Sequence, residues 1–318
     1  MSAPSEPIDQ LRERVVVTGG SGFIGRAVVA AFRERGAQVV TVDRHEPEQP
    51  DEGTEVIVGD LAEPQVREAA ITPGTAGVVH LAAITSVLKS VEMPAETYAL
   101  NVGVTAELLE LCRRHEVPRF VLASTNAVVG NVGEAQISAD LPLRPLTPYG
   151  ATKAAAEMLL AGYAGSYNLA TAALRFTNVY GPGMSHKDSF VPRMMKAALS
   201  GDTIRVYGDG QQRRDLVYLD DVVAGILLAW DRNFSGRAIL GSGESVSVMD
   251  MIGAVRQVTG LELPTEHIEA PKGEMPAVVV DLSGSERDLG YRPSVDLITG
   301  LGHVWQDFRD RSTDAAAG

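Results

Sequence analysis

The chain has few of the residues that mark several large classes of protein. Its single cysteine, Cys112, excludes an internal disulfide and lies in an apolar helical pattern, which is typical of a buried position. No apolar run approaches the ~20 residues of a membrane helix. Residues 1–10 are polar and acidic and lack the apolar segment of a secretion signal. We therefore expect a cytoplasmic protein with no membrane association.

Metal-ligand clusters and positive charge are also scarce. The six histidines are scattered, and no Cys/His cluster has the spacing of metal ligands, so we expect no metal site. Acidic residues outnumber basic ones by 41 to 28, and the resulting net charge of −13 argues against a nucleic-acid partner. An anionic substrate would need a local basic pocket. The chain has 318 residues, 45% of them hydrophobic, which is enough for one large or two modest cores.

A dinucleotide-binding pattern begins near residue 14. The β-branched run 14–18 predicts a buried parallel strand, a helical pattern ends at Gly36, and a second strand covers 38–42. Glycines between the first strand and the helix allow a tight turn and close approach of the backbone to a pyrophosphate: Gly19, Gly22 and Gly25. Asp43 ends the second strand, where a carboxylate accepts both ribose hydroxyls and repels a 2′-phosphate. This favours NAD over NADP.

Strands and helices continue to alternate along the first half of the chain. Further strands are predicted at 55–59, 77–80 and 119–123, with helices around 65–71 and 95–116 between them. This alternation predicts an α/β fold with a Rossmann-like, doubly wound parallel sheet, in which ligands bind at the carboxyl ends of the strands.

A second pattern follows the fifth strand. Tyr149 and Lys153 stand four residues apart, which on a helix places them on one face. An ammonium beside a phenol lowers the pKa of the phenol, so the pair can supply a general base for a sugar or alcohol hydroxyl. Taken alone, such a pair is more often part of a solvated helix face. Here it follows the hydroxyls of Ser124 and Thr125 at a strand end.

Together these motifs resemble those of the extended short-chain dehydrogenases that act on nucleotide sugars. The resemblance covers about residues 14–309 and includes the glycine loop, His80-Leu81-Ala82-Ala83, Ser124-Thr125, Pro148-Tyr149-Gly150-Ala151-Thr152-Lys153, Leu174-Arg175-Phe176-Thr177-Asn178-Val179-Tyr180-Gly181-Pro182, Arg214-Asp215-Leu216-Val217-Tyr218-Leu219-Asp220-Asp221 and Leu289-Gly290-Tyr291.

The resemblance implies a role for each matching residue. Thr125 would hydrogen-bond the reacting hydroxyl, Tyr149 would be the base, and Lys153 would hold the nicotinamide ribose. The candidate NAD-binding residues are Gly19, Gly22, Phe23, Ile24, Gly25, Asp43, Arg44, Asp60, Leu61, Leu81, Ala82, Ala83, Asn101, Tyr149 and Lys153. The candidate residues for binding a nucleotide-diphosphate sugar are Thr125, Asn126, Asn178, Val191, Arg193, Val206, Arg214 and Lys272.

The two residues after Thr125 reduce the number of family reactions that fit this chain. Dehydratases of the family carry an Asp-Glu pair where this chain has Asn126 and Ala127, and its sugar-acid decarboxylases carry glutamate at the second position. The leading hypothesis is therefore 4-epimerisation of a UDP-glucose/galactose or UDP-glucuronate/galacturonate type of substrate through a 4-keto sugar. The alternatives are an NAD(P)-dependent reductase or dehydrogenase of a nucleotide-linked keto sugar and a non-catalytic NAD-sensing protein.

The second half is expected to form most of a smaller, discontinuous substrate domain. We assign 12–177 plus about 236–242 to the NAD-binding domain, 178–235 and 243–310 to the substrate domain, and 1–11 and 311–318 to flexible tails. Many relatives carry a diphosphate-binding arginine where this chain has Pro271, so Lys272 or Arg193 is the candidate replacement. His186-Lys187 is placed to meet a sugar carboxylate.

Two apolar helices predict a homodimer. One follows Tyr149, and the other contains Leu108, Leu109, Leu111 and Cys112. A surface helix usually shows a polar face. Family relatives pair these helices across a two-fold axis, whereas burial inside the monomer is the alternative explanation.

Overall fold

The computed structural model describes residues 13–47, 53–133, 135–269 and 277–317. The strands are β1 Arg14–Thr18, β2 Gln38–Asp43, β3 Glu55–Val58, β4 Thr75–His80, β5 Arg119–Thr125, β6 Gln136–Ile137, β7 Ala170–Phe176, β8 Asn178–Tyr180, β9 Ile204–Tyr207, β10 Arg213–Tyr218, β11 Gly236–Leu240, β12 Ser245–Ser247, β13 Thr265–Ile268 and β14 Val279–Val280.

The helices are α1 Phe23–Glu34, α2 Pro64–Ala70, α3 Val87–Glu92, α4 Pro94–Tyr98, α5 Val104–Arg114, α6 Pro148–Ser166, α7 Phe190–Ser200, α8 Leu219–Asp231, α9 Val248–Thr259, α10 Ser283–Leu289 and α11 Leu297–Ala317. A π-helical segment, Ala99–Gly103, joins α4 to α5, where the sequence predicts one continuous helix over 95–116. A 3₁₀ turn, Asn126–Val128, follows β5.

The large sheet confirms the predicted fold class. In the described part of the chain it has seven strands in the order β11-β7-β5-β4-β1-β2-β3, and all of its pairings are parallel. The strand β11 pairs with β7 at one edge of this sheet. Smaller sheets, β12-β10-β8, β13-β9 and β14-β6, lie in the rest of the chain.

Helices cover both faces of the large sheet, because alternate residues of each strand point in opposite directions. Val15 and Val17 belong to the core on the side of α1 and α8, whereas Val16 belongs to the core on the side of α5 and α6. All three valines are fully buried. The β-branched run 14–18 is apolar on both faces for this reason. Cys112 is buried in the second core, as predicted.

The second half of the chain contains the helices α8 and α11. The helix α8 begins at Leu219 with Tyr218 as its N-cap, so Asp220 lies in its first turn. The helix α11 continues to Ala317 and so includes most of 311–318, the segment that the sequence analysis assigns to a flexible tail. The other predicted tail, 1–11, lies outside the described residues. Within the described residues, no helix is long and apolar enough to cross a membrane.

Candidate active site

The carboxyl ends of the large sheet's strands open into one cavity of about 590 Å³. Because parallel strands end at the same edge, residues far apart in sequence meet there. The predicted site residues that line this cavity are Gly19, Gly22, Phe23, Ile24, Gly25, Asp43, Arg44, Asp60, Leu61, Leu81, Ala82, Ala83, Thr125, Tyr149, Lys153, Asn178 and Val191. The structure therefore brings most of the predicted cofactor and catalytic residues together.

The glycine loop leaves room for a ligand's phosphates. Gly19 has φ +71°, and a Cβ there would lie 2.8 Å from the Ala82 nitrogen. A Cβ on Gly25 would collide with the carbonyl oxygen of Gly19. Because α1 begins at Phe23 directly after this loop, the unpaired N–H groups of its first turn lie at the cavity wall, where an anion is favoured. The loop fits a dinucleotide's pyrophosphate.

Asp43 lies at the end of β2 and orders this part of the cavity. Its carboxylate accepts hydrogen bonds from the backbone N–H groups of Ser21, at 3.1 Å, and His45, at 3.2 Å. Arg44 pairs with Asp60 across 3.8 Å. The end of the cavity beside β2 therefore carries a carboxylate that is anchored by the backbone.

The catalytic candidates lie on β5 and α6. Thr147 caps α6 by accepting from the Gly150 N–H at 3.1 Å, and Pro148 occupies the first turn. The backbone N–H of Tyr149 donates to Ser90 Oγ at 3.1 Å. Lys153 Nζ donates to the Ala123 carbonyl at 2.8 Å. These contacts fix the start of α6 against β5 and α3.

Burial controls the ionisation of the two α6 side chains. It raises the pKa of Tyr149, and a hydrogen bond with Thr125 offsets only part of that rise. Burial also lowers the pKa of Lys153 to about 8, against the charge of Glu157, which raises it. The predicted lowering of the Tyr149 pKa by Lys153 is therefore wrong for the protein alone. Removing the phenol from water costs the phenolate more than its neighbours restore.

Asn101 occupies a different place from the predicted one. It is 1% exposed and lies outside the residues that line the cavity. Its oxygen accepts from the Ile84 N–H at 2.9 Å, and its nitrogen donates to Ile84 O and to Thr152 Oγ1. Asn101 therefore ties the cavity wall after Ala83 to α6. The π-helical segment that contains it is the kind of irregularity that often accompanies functional sites.

His80 belongs to the same support. Its Nδ1 lies 2.7 Å from Thr18 Oγ1, and its Nε2 lies 3.2 Å from Thr105 Oγ1. Thr105 donates to the Asn101 carbonyl, so its hydroxyl accepts from His80 Nε2–H. Burial lowers the pKa of His80 to about 3, which keeps the ring neutral. In the motif His80-Leu81-Ala82-Ala83, the last three residues thus line the cavity, and His80 forms hydrogen bonds behind them.

Several predicted substrate residues lie away from the cavity lining. Asn126 is buried, Val206 is in the core, and Arg214 donates to the Arg213 carbonyl. Arg193 is exposed and forms a bidentate ion pair with Asp188 at 2.5 and 2.8 Å. Lys272 and Pro271 lie outside the described residues.

Lys187 lines the cavity, although the leading assignments omit it. It is half-buried, and its Nζ lies 4.8 Å from the centre of the Phe23 ring. Burial lowers the pKa of Lys187, and no ion pair joins it to a carboxylate within the described residues. The signal in the sequence was its position in the loop after Gly183, near the strand ends.

The fold and the site define a dinucleotide-binding protein of the extended short-chain dehydrogenase class. The model of the family described as "NAD dependent epimerase/dehydratase family" matches residues 15–240. The chain belongs to this family.

Three similar proteins each cover more than three quarters of the chain. It is 30% identical over 312 residues to the UDP-glucose 4-epimerase of Corynebacterium glutamicum, covering 92% of this chain and 94% of the relative. It is 33% identical over 245 residues to the dTDP-glucose 4,6-dehydratase of Streptomyces griseus, covering 76% and 74%. The structure of MoeE5 in complex with UDP-glucuronic acid and NAD is 36% identical, with a TM-score of 0.86 and coverage of 94% and 99%.

Proposed function

We propose that the chain is an NAD-dependent epimerase that inverts C4 of a UDP-linked sugar. One observation carries the proposal. The cavity that contains the dinucleotide loop also contains Thr125, Tyr149 and Lys153, and neither of the two residues directly after Thr125 is a carboxylate. The names of the relatives support the same activity, since UDP-glucose 4-epimerases are among them.

NAD fits the residues at the glycine-loop end. Gly19 and Gly25 leave space that any Cβ would occupy, and the first turn of α1 offers N–H groups to a pyrophosphate. Asp43 would receive the ribose hydroxyls and repel a 2′-phosphate. Arg44 is engaged by Asp60 and so offers less charge to such a phosphate.

The chain's own residues would hold the sugar and move its proton. Thr125 would hydrogen-bond the 4-hydroxyl, and Tyr149 would take the proton from that oxygen and later return it. Lys153 would keep positive charge beside the phenolate, which favours the transfer. The glycine loop, Asp43 and Lys153 would hold NAD, and the chemistry that NAD would supply is reversible hydride transfer at C4, on opposite faces of the sugar in the two directions.

The two positions after Thr125 favour epimerisation over elimination. Asn126 and Ala127 cannot protonate a leaving hydroxyl or remove a carbon-bound proton. Asn126 is also buried, with neither side-chain polar atom hydrogen-bonded within the described residues. This chain therefore shares the fold of the dehydratase relatives but lacks the acid and base that elimination is expected to need. A reductase would need an exchanging cofactor, commonly NADPH, and Asp43 disfavours it.

Lys187 favours a sugar that carries its own negative charge. Like the proposed catalytic Lys153, it is a basic side chain of the cavity without an ion pair in the described residues, and its burial is unfavourable until an anion reaches it. We propose a UDP-glucuronate or UDP-galacturonate type of substrate, with UDP-glucose as the second candidate. MoeE5 was solved both with UDP-glucuronic acid and with UDP-glucose, so its similarity supports both candidates, and the order rests on Lys187.

We also propose a homodimer, which uses the predicted helix α6 but has α4 in place of the predicted α5. The four α5 residues named in that prediction are all buried in the monomer: Leu108, Leu109, Leu111 and Cys112. The neighbouring helices α4 and α6 instead leave Tyr98 and Met158 each 60% exposed. The two-domain division and the cytoplasmic location remain proposals that rest on the sequence.

The activity is tested by incubating the purified protein with each sugar without added cofactor. The substrates are UDP-glucose, UDP-glucuronate and their galacto counterparts, and the products are resolved by proton NMR. We expect C4 inversion supported by co-purified NAD. Tyr149→Phe should retain NAD and lose at least about 10²-fold in kcat, the usual range for a general base. Strict dependence on added NAD(P)H with stoichiometric oxidation would favour the reductase.

A further inference from the structure

Three successive turns of α6 carry side chains that face β5. Tyr149, Lys153 and Glu157 are four residues apart, so they form one row on the helix. The first two are the proposed base and its ammonium. Glu157 is only 4% exposed and makes no contact that the proposed reaction uses.

Glu157 is held by a buried arginine. Arg175 lies on β7, is fully buried, and donates from Nε to Glu157 Oε1 at 2.9 Å and from Nη2 to Oε2 at 2.8 Å. Its third nitrogen, Nη1, donates to the Ala139 carbonyl at 3.1 Å. This bidentate geometry fixes the orientation of the carboxylate.

The same carboxylate reaches the strand that carries the catalytic threonine. Ser124 donates from Oγ to Glu157 Oε1 at 2.5 Å. Ser124 lies between Ala123, whose carbonyl accepts from Lys153, and Thr125, which is hydrogen-bonded to Tyr149. Three consecutive residues of β5 are thus each bound by one of three successive turns of α6.

Stability alone gives a weak reason for this arrangement. A buried ion pair often contributes little net stability, because removing two charges from water costs nearly as much as their attraction returns. We propose that Glu157, clamped by Arg175, is a positioning residue that keeps the Lys153 ammonium and the Thr125 hydroxyl aligned with Tyr149. This inference rests on the proposed function of the site.

The charges around Lys153 support the same role. The titratable groups that face it are His80 on β4 and Tyr149 and Glu157 on α6, with Arg175 of β7 behind Glu157. Burial keeps His80 and Tyr149 neutral near pH 7 by lowering the pKa of the first and raising that of the second. Glu157 is the group that raises the pKa of Lys153 against burial. Without the Glu157 carboxylate, Lys153 would lose its proton at a lower pH.

The test measures the ionisation of Lys153 directly. Protein labelled with ¹³C at the lysine ε-carbons is titrated by NMR, and Lys153→Met identifies the resonance. The double variant Glu157→Gln/Arg175→Met removes both charges while keeping similar volumes. We expect a lower pKa for Lys153 than the wild-type value of about 8, by about one unit or more. A wild-type pKa in the folded double variant would overturn the proposal.

Folding controls decide the remaining outcomes. Glu157→Gln alone leaves Arg175 unpaired and could unfold for that reason. In that case the double variant is the protein on which the test is decided. If the double variant also unfolds, the pair is structural and the positioning role is wrong. In turnover at pH 7 we expect the folded double variant to lose about tenfold or more in kcat, with NAD retained and KM within about twofold. Absence of turnover in the wild type would reject the proposed function, while the titration would still decide this inference.

Discussion

At the scale of single residues, burial makes the positive charge of Lys153 unfavourable, and the proposed function gives a reason for keeping a lysine at this position. The side chain is 3% exposed and its pKa is lowered to about 8 from the usual 10.5. A lowered pKa means that the folded protein binds this proton less tightly than the unfolded chain does. The protonated lysine that the proposed reaction needs therefore costs stability at neutral pH.

Replacing this lysine should stabilise the protein and abolish turnover. The cost of the charge, at most roughly 3 kcal/mol, exceeds the about 1 kcal/mol from the lost hydrogen bond to Ala123. We therefore expect Lys153→Met to unfold at a higher urea concentration than the wild type at pH 7. The difference should shrink as the pH rises from about 8 to 10.5, because the wild type then loses the buried charge. A difference that is constant across this range would contradict the burial cost.

Lys187 is expected to discriminate between substrates by charge. Removing a charge-assisted contact typically costs about 1.5–3 kcal/mol. We expect Lys187→Met to lower kcat/KM about tenfold or more for UDP-glucuronate and less than about threefold for UDP-glucose. The exposed Lys196, on α7, gives a matched control, since Lys196→Met makes the same change in net charge away from the cavity lining. Equal losses for both sugars would place Lys187 on the diphosphate or the cofactor instead.

At the scale of elements, we expect the glycine loop and the first turn of α1 to control cofactor binding. A Cβ on Gly25 would meet the Gly19 carbonyl and lie 2.8 Å from the Gly20 Cα, so the loop would have to shift. We expect Gly25→Ala to purify with at least about tenfold less NAD per chain, since the close backbone approach is lost. Gly253→Ala on α9 is the control, because its Cβ meets nothing within 4 Å. That variant should retain NAD and gain up to about 1 kcal/mol of stability.

Periodicity and turn chemistry predicted the elements that position the site. Each prediction used residues that are close in sequence: the run 14–18, the glycines after it and the Tyr149–Lys153 spacing. The structure confirms the strand β1 and the helices α1 and α6. The local sequence could not show which polar side chains become buried in the folded protein. The direction of the Tyr149 pKa shift and the position of Asn101 behind the cavity lining both depend on which elements pack together. Glu157 could have been suspected from its spacing to Lys153, but its partner Arg175 comes from another strand.

At the scale of the whole molecule, the surface of α4 and α6 is the place of the proposed dimer interface. Large apolar side chains that are scattered singly are ordinary on a protein surface, whereas grouped ones are typical of association sites. Tyr98 and Met158 lie on helices that contact each other, and both are mostly exposed. The helix α6 also bears the proposed base near its start, so an interface along it would brace the catalytic element.

A single charge in this surface should therefore dissociate the dimer. We expect the wild type to sediment at twice the mass of one chain and Met158→Lys to sediment as a monomer, because a buried unpaired ammonium is strongly unfavourable at an interface. Leu261→Lys, at an exposed apolar residue after α9, should leave the dimer intact. A monomeric wild type would remove the dimer proposal. A dimeric Met158→Lys would move the interface away from α6, and the exposure of Met158 would then be an ordinary surface feature.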